Sequence, residues 1–288
     1  MCYLCIRPQI KTCLSVCLSD MQFHFYADDT QLYISSSAND DLELTSSIVK
    51  IENCLSDLDK WMALNKLKLN KDKTELFYLY SKHNPQQSLP PLHFGSDIIQ
   101  PSSSSRNIGV VFNSTMSMLP RVKSVCKSAF YHLRNISRIR KLLSTKTIET
   151  LVHAFVTSKL DHCNSLLYGV PKYIIKKLQS VQNAAARKFD HITPILFELH
   201  WLPISERIKF KIILLTHKAL HQQSPICIQD LICRYSTSRT VWSSSTLRLT
   251  PVNFHLKSYG FRAFAVSAPE LWNKLPDDIR SCDNLNLF

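Results

Sequence analysis

The chain has 288 residues, 45% hydrophobic and 20% charged, a balance that excludes a disordered protein and leaves room for one to three domains. Only 4 residues are Gly, and neither GxGxxG nor GxxxxGK followed by Ser or Thr occurs, which sets aside the Gly-rich nucleotide-binding loops. The net charge is +13 and most of it sits in one place: residues 119–190 carry 14 Lys and Arg against 3 Asp and Glu, a net of +11.

A concentrated basic field attracts polyanions, and phosphate backbones are the usual partner. A basic surface with no partner is the plainer alternative. No apolar run approaches the length needed to span a bilayer, so no membrane partner is expected. The 10 Cys come without a convincing export signal, which points to a reduced intracellular compartment, nucleus or cytoplasm, rather than secretion. Cys2, Cys5, Cys13 and Cys17 are spaced loosely enough for a four-thiolate zinc site, but without a matching second pair of the usual form; unpaired thiols are the simpler reading.

In chain order, the first informative stretch is Tyr26-Ala27-Asp28-Asp29, between the β-prone runs Phe23 to Phe25 and Thr30 to Ile34. In an extended strand the two carboxylates would diverge, whereas a tight turn would bring both to one side. Twin carboxylates there suit a hard divalent cation, or a two-metal phosphoryl-transfer site. A solvated turn is the plainer alternative, because Asp favours turns for its local hydrogen bonding.

Residues 42–62 read as an amphipathic helix, with Leu44, Ile48, Ile51, Leu55, Leu58 and Met62 recurring at helical steps. Asp40, Asp41 and Glu43 load its first turn, as the helix dipole favours. A basic loop, Leu67 to Glu75, feeds a strand over Leu76 to Tyr80. Residues 83–105 are rich in Pro, Gln and Ser and read as a loop around a short strand near Asp97 to Ile99. Ile108 to Phe112 reads as a further strand, followed by a turn at Asn113-Ser114.

From residue 121 to 189 the pattern is helical. Val122, Val125, Ala129, Leu133 and Ile136 form one stripe, ringed by Arg121, Lys123, Lys127, Arg134 and Arg138. Ser144 or Thr145 can cap a second helix through Ile148, Val152 and Phe155. Gly169-Val170-Pro171 breaks the chain before a third helix with Ile174, Leu178, Val181 and Ala185 inside and Lys176, Lys177, Arg187 and Lys188 outside. The stripes are core, and only the charged faces are candidate binding surface. A further amphipathic helix follows over 204–221, then a Ser/Thr-rich stretch, a strand over Phe261 to Val266, and a helical turn at Glu270 to Leu275.

The order of these pieces carries a resemblance. Met21 to Tyr33 resembles the active-site hairpin of reverse transcriptases, nearest to those of non-LTR (LINE-like) retrotransposons. Leu58 to Met62 and Asn70 to Glu75 look like the family's next palm helix and its Asn-x-x-Lys-Thr-Glu motif. Arg106 to Val110 looks like a strand of the primer-grip hairpin, and the basic helices resemble the thumb. His200 to Ile204 and Arg262 to Pro276 resemble the opening and body of a tail found in one branch of these elements.

The resemblance implies an α+β fold in three parts. These are a partial palm with antiparallel strands over 1–118 (residues 1–20 unmatched), a basic, mostly helical thumb-like segment over 119–190, and a mixed C-terminal extension over 191–288. It implies RNA-directed DNA synthesis on an RNA template and a DNA primer. Asp28 and Asp29 would hold Mg²⁺ and act as catalytic residues, with Lys73 neutralising the leaving pyrophosphate. Tyr26 would line the site beneath the primer end, and Gly109 would let the primer-grip turn approach the primer. Lys176, Lys177, Arg187 and Lys188 would contact nucleic acid. Each has a plain counterpart: a solvated loop lysine, a core-facing aromatic, a strand glycine.

The family's polymerase site also uses an aspartate from an earlier palm strand, and fingers precede the hairpin. Twenty residues precede it here, and none resembles that strand. The expectation is therefore a truncated reverse transcriptase domain, inactive alone. A non-enzymatic nucleic-acid-binding remnant is the alternative, and an enzyme borrowing the missing parts from another chain is a third reading. A palm without its earlier strands should leave an open sheet edge and an uncovered apolar face, favouring self-association.

Overall fold

The apolar stripe at residues 44–62 folds as the predicted helix, α1 (Asp41–Leu64), and organises the first half of the chain. Asp40 caps it, accepting hydrogen bonds from the backbone N–H of Leu42 and Glu43 at 3.0 and 3.1 Å. The protein is represented by a computed structural model that describes residues 2–5, 21–26, 29–37, 40–81, 89–186, 201–235, 247–254 and 259–282. It divides into two compact units, Met1–Pro120 and Arg121–Phe288.

The first unit carries the strands β1 (Cys2–Cys5), β2 (Gln22–Tyr26), β3 (Asp29–Tyr33), β4 (Glu75–Phe77), β5 (Leu92–Phe94), β6 (Asp97–Ile99), β7 (Pro101–Ser102), β8 (Ser104–Asn107) and β9 (Val110–Asn113). Five of them form one sheet in the order β2-β3-β1-β4-β7. The pairs are antiparallel except β4 with β7, which is parallel. Two small hairpins, β5–β6 and β8–β9, complete the unit. Leu32 and Leu76 share a row of the sheet through Cys2, and both join Leu44, Ile48, Ile51, Leu55 and Leu58 in one core. One face of the sheet is thereby closed by α1.

The strand β1 departs from the sequence reading, which leaves residues 1–20 unmatched and the sheet open beside the hairpin. It pairs with β3 from Cys2↔Leu32 to Cys5↔Asp29, and with β4 at Cys2↔Leu76 and Tyr3↔Glu75. An open edge there would leave a row of backbone N–H and C=O groups without partners, and a short extended stretch satisfies them. The sheet's outer strands are instead β2 and β7. A cleft of about 610 Å³ lies along α1 and the sheet, lined by Ile34, Leu44, Ile48 and Leu76.

The second unit is helical. It comprises α2 (Leu119–Ile139, starting at the division), α3 (Thr145–Val152), α4 (Ser158–Asp161), α5 (Lys172–Ala186), α6 (Ile204–Leu220), α7 (Ile226–Gln229), α8 (Phe264–Trp272) and α9 (Asp277–Arg280). A π-helical turn, His153–Thr157, joins α3 to α4. Ser144 caps α3, its Oγ accepting from Thr147 N–H at 3.2 Å. Val122, Ala129, Leu133, Ile148, Val152, Ile174, Leu178 and Val181 are buried, as their spacing foretells, whereas Phe155, which the second stripe places in the core, is exposed on the π-helical turn. Ile204 N–H donates to Gln179 Oε1 at 3.0 Å, and Gln182 Nε2 donates to Leu202 O at 2.9 Å, docking α6 on α5.

Two local expectations change. Phe264 to Val266 are helical rather than extended, and α8 continues through Pro269 to Trp272. A three-residue apolar run does not distinguish strand from helix, and the burial of Ala268, Leu271 and Trp272 decides for the helix. Ile108 and Gly109 form the turn between β8 and β9 rather than the start of a strand. Gly169 (φ +69°) ends the helical segment in a left-handed conformation, where a Cβ would lie 2.9 Å from Arg262 Cγ and Phe261 Cδ1.

Candidate functional site

The acid pair sits at a hairpin. β2 and β3 pair from Gln22↔Tyr33 to Tyr26↔Asp29, so Ala27 and Asp28 connect the last paired residues. Ala27 and Asp28 themselves lie outside the described residues, and of Tyr26 and Asp29 the backbone is placed. Behind the hairpin, Thr30 and Leu32 are fully buried and Gln31 nearly so, giving β3 a buried position on both faces.

The second motif arrives at the same end of the sheet. β3 and β4 both run antiparallel to β1, so both begin where the hairpin turns. Gln31, Tyr3 and Glu75 form one row. The single-turn helix Lys71–Lys73 immediately precedes β4, two strand spacings (about 10 Å) from β3. Lys73 is exposed on that turn, its backbone N–H donating to Asn70 O at 3.2 Å. Thr74 is buried and donates to the same carbonyl through Oγ1 at 3.1 Å. Asn70 and Thr74 thus shape the turn that presents Lys73. Among the described residues, no group of three or more His, Cys, Asp or Glu is gathered to hold a metal ion. Cys2 and Cys5 stand at the two ends of β1, and Cys13 and Cys17 lie outside the described residues.

The turn containing Gly109 is of the type I′ kind, with φ +46° at Ile108 and +75° at Gly109. Both residues are exposed. Glycine meets this requirement without cost, but Ile108 is β-branched, and a positive φ there is strained. Asn113 is used locally. Its Oδ1 accepts from Ser117 N–H at 2.9 Å and its Nδ2 donates to Thr115 Oγ1 at 2.8 Å.

Of the basic residues expected to bind nucleic acid, Lys176 and Lys177 are exposed on α5, while Arg187 and Lys188 lie outside the described residues. Lys123, Lys127, Arg134 and Arg138 are exposed on α2. Arg121 is not part of that surface. It is 5% exposed, and its Nη2 donates to His162 O. Burial lowers its pKa, opposed by the nearby Cys163. The helix stripe turns Arg121 inward beside Val122, a placement that a count of charges does not anticipate. Exposed Phe130 and Tyr131, on the same helix, are functional candidates that the sequence reading passes over. Their spacing from Lys127 and Arg134 is the signal that would have found them.

No protein-family model, curated protein or solved structure matches the chain. No helix among the described residues is long and apolar enough to cross a membrane.

Proposed function

We propose that this chain is the palm and thumb portion of a reverse transcriptase of the non-LTR kind, and that these 288 residues alone do not polymerise. The observation that carries the reading is the pairing of β2 with β3 as far as Tyr26↔Asp29, with the Lys71–Lys73 turn at the same end of one sheet. The motif order along the chain supports it independently.

On this reading Asp28 and Asp29 supply oxygen ligands that suit magnesium, a hard ion that favours carboxylates and phosphate oxygens. A two-ion site asks for a further carboxylate, so the residues at hand fit part of such a site and the reading assigns them no turnover. Lys73 stands ready to neutralise a departing phosphate, and the exposed lysines of α5 hold the phosphate backbone of an RNA–DNA hybrid.

A second reading, a nucleic-acid binder without enzymatic activity, is favoured by the +11 net charge of residues 119–190. Both readings expect the full chain to bind an RNA–DNA hybrid with an affinity that falls steeply with salt, and to bind more weakly when Lys176 and Lys177 are both changed to Gln. No binding at low salt overturns both. Primer extension on an RNA template with magnesium should give no product. Template-directed incorporation that disappears in Asp28→Asn would overturn the assignment of inactivity and keep the polymerase class.

A further inference from the structure

Lys127, Tyr131, Arg134 and Arg138 follow one another at three- and four-residue steps on α2 and share its outer face. Phe130 is 40% exposed and Tyr131 61%. Tyr131 stands one turn after Lys127, and Phe130 one turn before Arg134. The whole of α2 contains no Asp or Glu.

The exposed rings extend beyond α2. Tyr131 meets His132 edge-on, with ring centroids 5.4 Å apart, and His132 stacks on Phe155 at 5.1 Å and 18°. Phe155 comes from the π-helical turn and is itself 43% exposed. Lys159 Nζ lies 2.9 Å from His132 Nε2. Burial, with the charge of Lys159, holds the imidazole below its ordinary pKa. Aromatic surface lies open to solvent here, bracketed by cations and free of acids along α2.

Exposed rings alone would fit a protein partner or a nucleobase. The cations decide, because the centre of a protein interface is depleted in charge, whereas a phosphate backbone requires it. A duplex hides its base faces in the stack, so exposed rings serve it little. A single strand offers those faces, and stacking accepts every base.

We propose that this face of α2, with Tyr131 at its centre and Phe155 beside it, binds single-stranded nucleic acid by stacking unpaired bases between phosphate-holding Lys127 and Arg134. The site lies on a different helix from Lys176 and Lys177 and takes a different ligand, so it stands apart from the polymerase reading and rests on the nucleic-acid-binding one, whose charge it shares.

The test measures binding of the full chain to labelled oligo(dT) and to a blunt RNA–DNA hybrid across a salt series. Tyr131→Ala should weaken oligo(dT) binding about five- to hundredfold, as expected for one lost stacked base, with little change on the hybrid. Tyr131→Trp should retain the affinity. Lys127→Gln should lower the slope of log affinity against log salt by about 0.7. Phe155→Leu provides a second variant that keeps an apolar side chain, and it should also weaken the single strand selectively. Unchanged oligo(dT) affinity in Tyr131→Ala, or equal losses on strand and hybrid, overturns the proposal. Losses in Lys176→Gln/Lys177→Gln confined to the hybrid leave it standing and bear only on the duplex reading.

Discussion

The Glu75 carboxylate accepts a 2.7 Å hydrogen bond from Ser105 Oγ, tying the start of β4 to the middle of β8. Ser105 is 3% exposed, so this bond forms largely away from water. The polar tie locates the β8–β9 hairpin against the strand that follows the Lys71–Lys73 turn. It acts together with the pairing of β4 and β7 and with the Tyr80 N–H to Ser114 O bond at 3.1 Å.

Ser105→Ala should therefore loosen the first unit. Hydrogen bonds to charged groups contribute about 1.5–3 kcal/mol, and the variant removes the Ser105 donor to Glu75. Amide hydrogen exchange in β4 and β8 should accelerate, while exchange in α5 stays as it was. Unaltered protection of β4 and β8 would show that the bond carries no weight.

Arg121 separates structure from binding. Its guanidinium is buried and donates to His162 O. Arg121→Gln should lower stability by about 1.5–3 kcal/mol, which for a unit of this size amounts to several degrees in Tm. The salt slope of hybrid binding should stay as in the parent chain, because no exposed cation is lost. A reduced slope with an unchanged Tm would return Arg121 to the binding surface.

What was legible in the sequence follows from where the energetic determinants lie. α1 was legible because Leu44 to Met62 repeat at helical steps and are buried at those positions. The β2–β3 hairpin was legible because aromatic, β-prone residues flank the acid pair. β1 was not, because four residues with no distinctive alternation acquire a structure only from the edge they pair with. The inward turn of Arg121 was hidden for a similar reason. Composition counts a charge, whereas burial depends on which carbonyl another segment brings near. The helix α8 was misread because its stabilisation is tertiary, as in the 2.7 Å bond from Trp272 Nε1 to Leu247 O.

Alkaline pH offers a titration test of the second unit. Tyr168 Oη donates to Glu270 Oε2 at 3.2 Å. Burial, then the charge of Glu270 and this hydrogen bond, raise the phenol from 10.0 to about 12. The folded state therefore holds the proton more tightly than the unfolded state does. The stabilisation is fully present below pH 10 and is lost as pH rises towards 12. Unfolding free energy should fall across that window in the parent chain and fall less steeply in Tyr168→Phe. Parallel pH profiles for the two proteins would remove Tyr168 as the source.

Ile108 carries the last test, because its strain and its exposure point in different directions. A β-branched residue at φ +46° pays a conformational penalty of about 1–2 kcal/mol, and at 46% exposure its side chain recovers only part of that by burial. Asn followed by Gly is the preferred pair for a type I′ turn, so Ile108→Asn should stabilise the β8–β9 hairpin by about 1 kcal/mol. Were Ile108 serving packing alone, the variant would lose stability. If the tip meets nucleic acid, the same change should raise stability and lower affinity for a primer–template hybrid, since the apolar contact goes while the turn improves. A thermal melt and a binding titration on the same preparation resolve the two effects. A gain in stability with unchanged affinity would show that the tip is a strained turn with no ligand to hold.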